Sequence, residues 1–176
     1  YAAQISAGLK IKDLKINKNY KNLIAVKKPV FPFNKFPQQN IFLSPEMKST
    51  GEAIGFDSKL GSAFAKAEFS AGSYLPIKGT VFISVNNNDK MKSISIARDF
   101  EDLGFNVIAT LGTSNLLNQN GDFSKTIFKV GEGRPNIVDA IKNKEVSIII
   151  NTPFGGAARE DEYKIGRTAI RYKIPV

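Results

Sequence analysis

From Thr80 onward, short apolar runs alternate with longer stretches in which apolar residues recur at helical spacing. Thr80–Val85 (TVFISV), Phe105–Ala109 (FNVIA), Thr126–Val130 and Val146–Ile150 (VSIII) read as strands. Asp89–Leu103 reads as a helix whose stripe is Met91, Ile94, Ala97, Phe100 and Leu103, with Asp89 as its cap and Gly104 as its stop. Thr113 or Ser114 is placed to cap a helix running to about Asn118. Pro135 suits the first turn of another, running to about Lys144. Glu162–Lys173 forms a last helix, and Ile174 begins a further strand.

This alternation, with short connections, predicts an α/β fold with an open, mostly parallel sheet and helices on both faces. In such sheets ligands bind at the carboxyl ends of the strands, near a switch in strand order. Four loops therefore become candidates: Asn86–Lys90, Thr110–Ser114, Gly131–Pro135 and Asn151–Gly156.

The N-terminal part has no such rhythm. Ala2–Leu9 reads as the end of a helix and Asn22–Val26 as a short strand. Pro29–Pro37 holds three prolines, which bar a helix interior or central strand, so Val30, Phe31, Phe33 and Phe36 belong to an extended segment packed on a surface. Ser44–Glu52 reads as a loop or short strand, and Lys59–Phe69 as a helix with Leu60, Phe64 and Ala67 on one face. Ala71–Lys78 is a linker, which divides the chain into 1–76 and 77–176.

Composition removes whole classes of chemistry. In 176 residues there is no cysteine, histidine or tryptophan, so this chain forms no disulfide, Cys- or His-ligated zinc site, cysteine nucleophile or Ser-His-Asp triad. No apolar run approaches the ~18 residues of a membrane span. No signal peptide is visible; the start at Tyr1 reads as a fragment's, and a cytoplasmic origin fits. The net charge is +9, and residues 1–76 hold 11 lysines against 5 acids with no arginine. That excess points to an anionic partner, but the signature of a nucleic-acid reader, arginine on a helix or interleaved aromatics on a sheet, is missing.

The four loops supply donors for an anion. Lys90 opens a helix; Thr110 and Thr113 flank Gly112 at a helix N-terminus; Lys129 and Arg134 bracket two glycines; Asn151 and Thr152 follow the most apolar strand. Backbone N–H groups, hydroxyls and a positive helix end suit a phosphate, and Asn151 offers donor and acceptor to a base or ribose edge. Each loop alone also fits an ordinary turn or cap; together, Lys90, Thr110, Thr113, Lys129, Asn151 and Thr152 make a phosphate site with an adjoining polar pocket. Catalysis has less support. Asp89, Glu132, Glu160 and Asp161 are the carboxylates near this edge, and they form no pair with an evident acid–base role.

The runs KGTVFISVNNNDK, GFNVIATLGTS, KVGEGRPNIVDAIKNKEVSIIINTP and GRTAIRYKIPV resemble the regulatory domain of the carbamoyl-phosphate synthase large-chain family, which has the methylglyoxal-synthase-like fold. The upstream runs PFNKFP, SPEMKSTGEAIG and AFAKAE resemble the end of that family's second ATP-grasp domain. The resemblance implies an incomplete ATP-grasp tail over 1–76 and an allosteric domain over 77–176. It implies a parent ligase, glutamine-hydrolysing and cytoplasmic, that makes carbamoyl phosphate from bicarbonate, ammonia and ATP with Mg or Mn, for pyrimidine and arginine synthesis. The partners implied are UMP or IMP as effector, the rest of the large chain, a small glutamine amidotransferase chain and self-association; no nucleic acid, membrane, metal site or catalytic residue is expected in this fragment.

The family's nucleotide contacts carry over onto Lys90, Thr110, Thr113, Lys129, Asn151 and Thr152. Leu111 stands where members often have histidine, and Pro153 where a second threonine is usual; both are expected at the pocket. Lys28 replaces the glutamate of ornithine-sensitive members, whose Tyr-Asp-Thr run would follow Val176, so ornithine control is unsupported. The metal and ATP run would precede Tyr1. The alternative is an enzyme of the same superfamily, methylglyoxal synthase or IMP cyclohydrolase, but IIINTPFGG lacks the aspartate base that the first of these needs.

Overall fold

The computed structural model describes residues 1–16, 22–33, 35, 45–154 and 156–176, with the backbone alone at 156–159. Phe36 and Pro37 of the proline-rich run lie outside the described residues. A short helix, α1 (Ala2–Ser6), precedes two separate sheets.

The first sheet pairs β1 (Ile24–Val30) antiparallel with β2 (Gly51–Asp57), and α2 (Leu60–Ser70) packs on one face. Strand β1 runs through Pro29, which a two-stranded ribbon tolerates because it is all edge. Strand β2 corrects the reading of Ser44–Glu52: pairing begins only at Gly51 and continues through GEAIGFD, where glycine and polar residues mask the strand pattern. On α2 the buried residues are Ala63, Ala67 and Glu68, whereas Leu60 and Phe64 are exposed, contrary to the expected face. The cause is close approach. A Cβ on Gly55 would lie 2.1 Å from the Ala63 carbonyl oxygen and 2.5 Å from the Ala67 nitrogen, so only small residues fit between helix and sheet. Glu68 is nearly buried and forms an ion pair with Lys28 that ties α2 to β1.

Asp57 closes the same unit. It accepts from Lys66 Nζ at 2.7 Å and from the Lys59 backbone N–H at 3.1 Å. The Lys66 hydrogen bond, then that of Lys59, lower its pKa from 3.8 to about 2. A depressed carboxylate pKa stabilises the fold above the unfolded value and is lost as pH falls through the folded one. The midpoint of urea unfolding is therefore expected to fall between about pH 4 and pH 2, and Asp57→Asn to flatten that part of the profile; parallel profiles for the two proteins would contradict this.

The second sheet is parallel throughout. Its strands are β3 (Thr80–Val85), β4 (Asn106–Thr110), β5 (Ser124–Ile127) and β6 (Ile148–Thr152), in the order β5-β4-β3-β6. Helices α3 (Lys90–Asp102) and α4 (Leu111–Gln119) cover one face: Ala97 and Leu117 meet Val81, Ile83, Val107 and Ala109. Helices α5 (Ile137–Lys142) and α6 (Gly156–Tyr172) cover the other, where Ile137, Ile141, Ile165 and Ala169 meet Phe82 and Ile149. Strand β3 is central and buried on both faces, which explains its continuous apolar run. The expected fold class thus describes this unit.

Several boundaries differ from the sequence reading. On α3 the buried residues are Ser93 and Ala97; Ile94 and Phe100 flank the core, while Met91 and Leu103 are exposed ends of the expected stripe. Gly104, at φ +84°, ends the helix as expected. Thr113 and Ser114 are not caps. Helix α4 starts at Leu111, and Ser114 points into a buried hydroxyl cluster with Ser124 Oγ at 2.9 Å and Thr126 Oγ1 at 3.0 Å. Strand β5 lies earlier than Thr126–Val130, and a single bridge joins Phe128 to Asn136. Pro135 falls before the first turn of α5, because Asn136 is the cap and forms a reciprocal pair of bonds with Asp139. Helix α6 begins earlier than Glu162. No strand forms at Ile174; instead the Ile149 N–H donates to the Pro175 carbonyl at 2.9 Å.

Candidate functional site

Strand order reverses beside β3: β4 and β5 follow on one side, and the chain then returns to lay β6 on the other. The connections leaving β3 and β6 must part at their carboxyl ends, which opens a crevice. A cavity of about 890 Å³ occupies that place. All six residues picked from the sequence line it: Lys90, Thr110, Thr113, Lys129, Asn151 and Thr152.

Each is set there by its element. Lys90 is the first residue of α3, and its ammonium reaches across to α4, since a Cβ on Gly112 would lie 3.3 Å from Lys90 Nζ. A positive charge thus sits at the first turn of α4, where unpaired N–H groups and the helix dipole add to it. Thr110 ends β4, is buried, and lies 3.3 Å from Ser84 Oγ through its own hydroxyl. Thr113 is 1% exposed, yet its hydroxyl has no hydrogen-bond partner among the described residues. A hydroxyl on a cavity wall without a protein partner can donate to, or accept from, a group placed in the cavity. Lys129 lies just past β5, in a turn where its backbone N–H donates to Glu132 Oε2 at 3.3 Å. Asn151 and Thr152 are the last two residues of β6.

Neither Lys90 nor Lys129 has a carboxylate within 4.0 Å among the described residues. Two ammonium groups on one cavity, both without an internal counter-ion, favour an anionic occupant. The wall also carries Glu132, Glu160 and Asp161, so acceptors accompany the cations. Pro153 lines the cavity as expected; Leu111 does not, being exposed on the opening turn of α4. Asp89 is another correction: its carboxylate makes no cap bond and instead accepts from Asn86 Nδ2 at 2.7 Å. Asn86 and Phe154 belong to the candidate loops but not to the six residues picked from them, and Ser84 was not considered; all three line the site. Their signal was positional, since each stands at or just beyond the end of β3 or β6. No group of three potential metal ligands occurs among the described residues.

Residues 92–176 match the MGS-like domain family. The second unit carries an MGS-like domain. Over most of its length the chain is also similar to proteins named carbamoyl phosphate synthase large chain. The relative from Nostoc sp. is 52% identical over 87% of this chain, which covers 14% of that protein. The relative from Archaeoglobus fulgidus is 48% identical over 98% of the chain and 16% of its own length. The carbamoyl phosphate synthase large chain, C-terminal section, of Aquifex aeolicus is 46% identical over 88% of the chain and 29% of its length. The chain therefore spans less than a third of the length of each of these relatives. The similarity extends past the MGS-like domain into the β1-β2-α2 unit. No helix among the described residues is long and apolar enough to cross a membrane.

Proposed function

We propose that the MGS-like domain of this chain is an allosteric module of a carbamoyl-phosphate synthase large chain, and that its cavity binds a nucleotide monophosphate, UMP or IMP, without catalysing a reaction. The observation that carries this reading is the pair of uncompensated ammonium groups, Lys90 and Lys129, on a cavity at the strand-order switch. A bare anion would leave Glu160 and Asp161 unanswered. A phosphate joined to a body bearing hydroxyl and N–H donors answers both signs.

The parent would be a cytoplasmic ligase using ATP and Mg or Mn, with a small glutamine amidotransferase chain as partner, and 1–76 would be the tail of its ATP-grasp domain. Binding acts by population shift. An effector with unequal affinity for two states of the synthase moves their balance, typically by 1–3 kcal/mol of coupling. The β1-β2-α2 unit and the segments around it would pass that shift on. Lys28 is already paired with Glu68, so an effector ammonium finds no free carboxylate there.

Calorimetric titration of the chain with UMP and with IMP tests the reading. Saturable binding of at least one is expected, weakened about ten- to a hundredfold by Lys129→Ala, the loss of one charge-assisted hydrogen bond. No binding of either nucleotide, or unchanged binding in the variant, removes the proposal.

A further inference from the structure

Asn86 is the first residue beyond β3 and touches both sides of the crevice. Its amide orientation is fixed by its neighbours. Nδ2 approaches Asp89 Oδ2 at 2.7 Å, and an ionised carboxylate only accepts. Oδ1 accepts from the Asn88 backbone N–H at 2.8 Å, and that group only donates. A flipped amide would oppose oxygen to oxygen and nitrogen to nitrogen, so the nitrogen must face Asp89.

The same nitrogen also reaches Thr152 across the strand switch. Asn86 Nδ2 donates to Thr152 Oγ1 at 3.1 Å and to the Thr152 carbonyl at 3.2 Å. The Asn86 backbone N–H is shared in the same way, at 3.2 Å to Oγ1 and 3.1 Å to the carbonyl. A hydroxyl has two acceptor lone pairs and one proton to give. Asn86 engages both lone pairs of Thr152. The remaining proton finds no acceptor among the described residues, and Thr152 lines the cavity.

We infer that Asn86 is a positioning residue that fixes Thr152 as an obligatory hydrogen-bond donor into the cavity, so that the site selects a ligand oxygen that accepts at that point and rejects an N–H donor there. An isolated threonine hydroxyl turns to suit either partner. This one cannot reverse its role without giving up its bonds from Asn86. The fitting ligand chemistry is a phosphate or carbonyl oxygen. The identity of that ligand rests on the nucleotide reading above; the lock itself does not.

Two measurements separate them. In the ligand-free protein, three-bond scalar couplings report the Thr152 χ1 angle. One rotamer is expected in the wild type and averaging in Asn86→Ala, and an equally ordered Thr152 in the variant overturns the lock. Titrations with UMP, IMP and orthophosphate then compare Asn86→Ala, Thr152→Val and the double variant. Each single change is expected to weaken binding about tenfold, and the double variant to be no weaker than Thr152→Val alone. Additive losses, or wild-type affinity in Asn86→Ala, overturn the inference. Thr152→Val leaves Asn86 in place, so it serves if Asn86→Ala fails to fold. If no probe binds while the couplings show the lock, the nucleotide reading fails and the positioning role of Asn86 holds.

Discussion

Alanine at position 55 is expected to force α2 off the two-stranded sheet. The added Cβ would lie 2.1 Å from the Ala63 carbonyl oxygen and 2.5 Å from the Ala67 nitrogen. Both are backbone atoms of a regular helix and cannot turn aside as a long side chain would. Overpacking of this kind costs about 1–3 kcal/mol and occasionally more. The upper end applies here, because among the described residues the buried apolar side chains of this unit are three alanines, Ala53, Ala63 and Ala67, which leave little packing to absorb the strain. In an amide NMR spectrum of Gly55→Ala, signals from residues 24–70 should move or broaden while those of the parallel sheet hold. An unchanged spectrum with an unchanged urea midpoint would show that the helix can slide without loss.

The second large effect is expected from Phe82→Ala. Phe82 is fully buried at the centre of β3, packed with Ile137, Ile141, Ile149 and Ile165. It also contributes to the floor of the cavity. Truncating a buried phenylalanine costs about 3–5 kcal/mol through lost transfer energy and the void left behind. Domains of this size hold roughly 5–15 kcal/mol in all, so a large share of the margin of the MGS-like domain should go. Thermal unfolding measures it, with Met91→Ala as the comparison. Met91 is exposed, and its loss should stay within about 0.5 kcal/mol. A large effect from Met91 would restore the helical stripe first read from the sequence, and a small one from Phe82 would contradict its place in the core.

The parallel sheet was legible because burial on both faces leaves a strand a continuous apolar run, as VFI in TVFISV, and because glycine marks the end of α3 so plainly. The ligand edge was legible for a related reason: strand order and chemistry agree there, and lysines and hydroxyls at strand ends have no structural need to be present. What stayed hidden was close packing. Large apolar residues were assigned to the core faces of α2 and α3 beside Ala67 and Ala97; α2 approaches its sheet so tightly that only Ala63 and Ala67 fit there, and on α3 the buried positions are Ser93 and Ala97. Large side chains such as Phe64 and Met91 are left outside. Strand β2 escaped notice for the same cause, since Gly55 is a contact residue and reads as a turn. The start of α4 was misplaced because Ser114, a good cap by type, is committed instead to the buried hydroxyl cluster. Asn86 was passed over because a run of three asparagines looks like an ordinary turn, and only its distances to Thr152 set it apart.

The absence of internal partners for Lys90 and Lys129 has a meaning for how such a protein changes over generations. Most charged residues that matter to a ligand also hold some part of the fold, and altering them risks both. Here the two ammonium groups contribute no ion pair to the scaffold among the described residues. Substitution at either should leave the sheet standing, so drift can explore new ligands at these positions without first compensating for a weakened structure. The regulator can therefore be rewritten while the architecture beneath it stays the same.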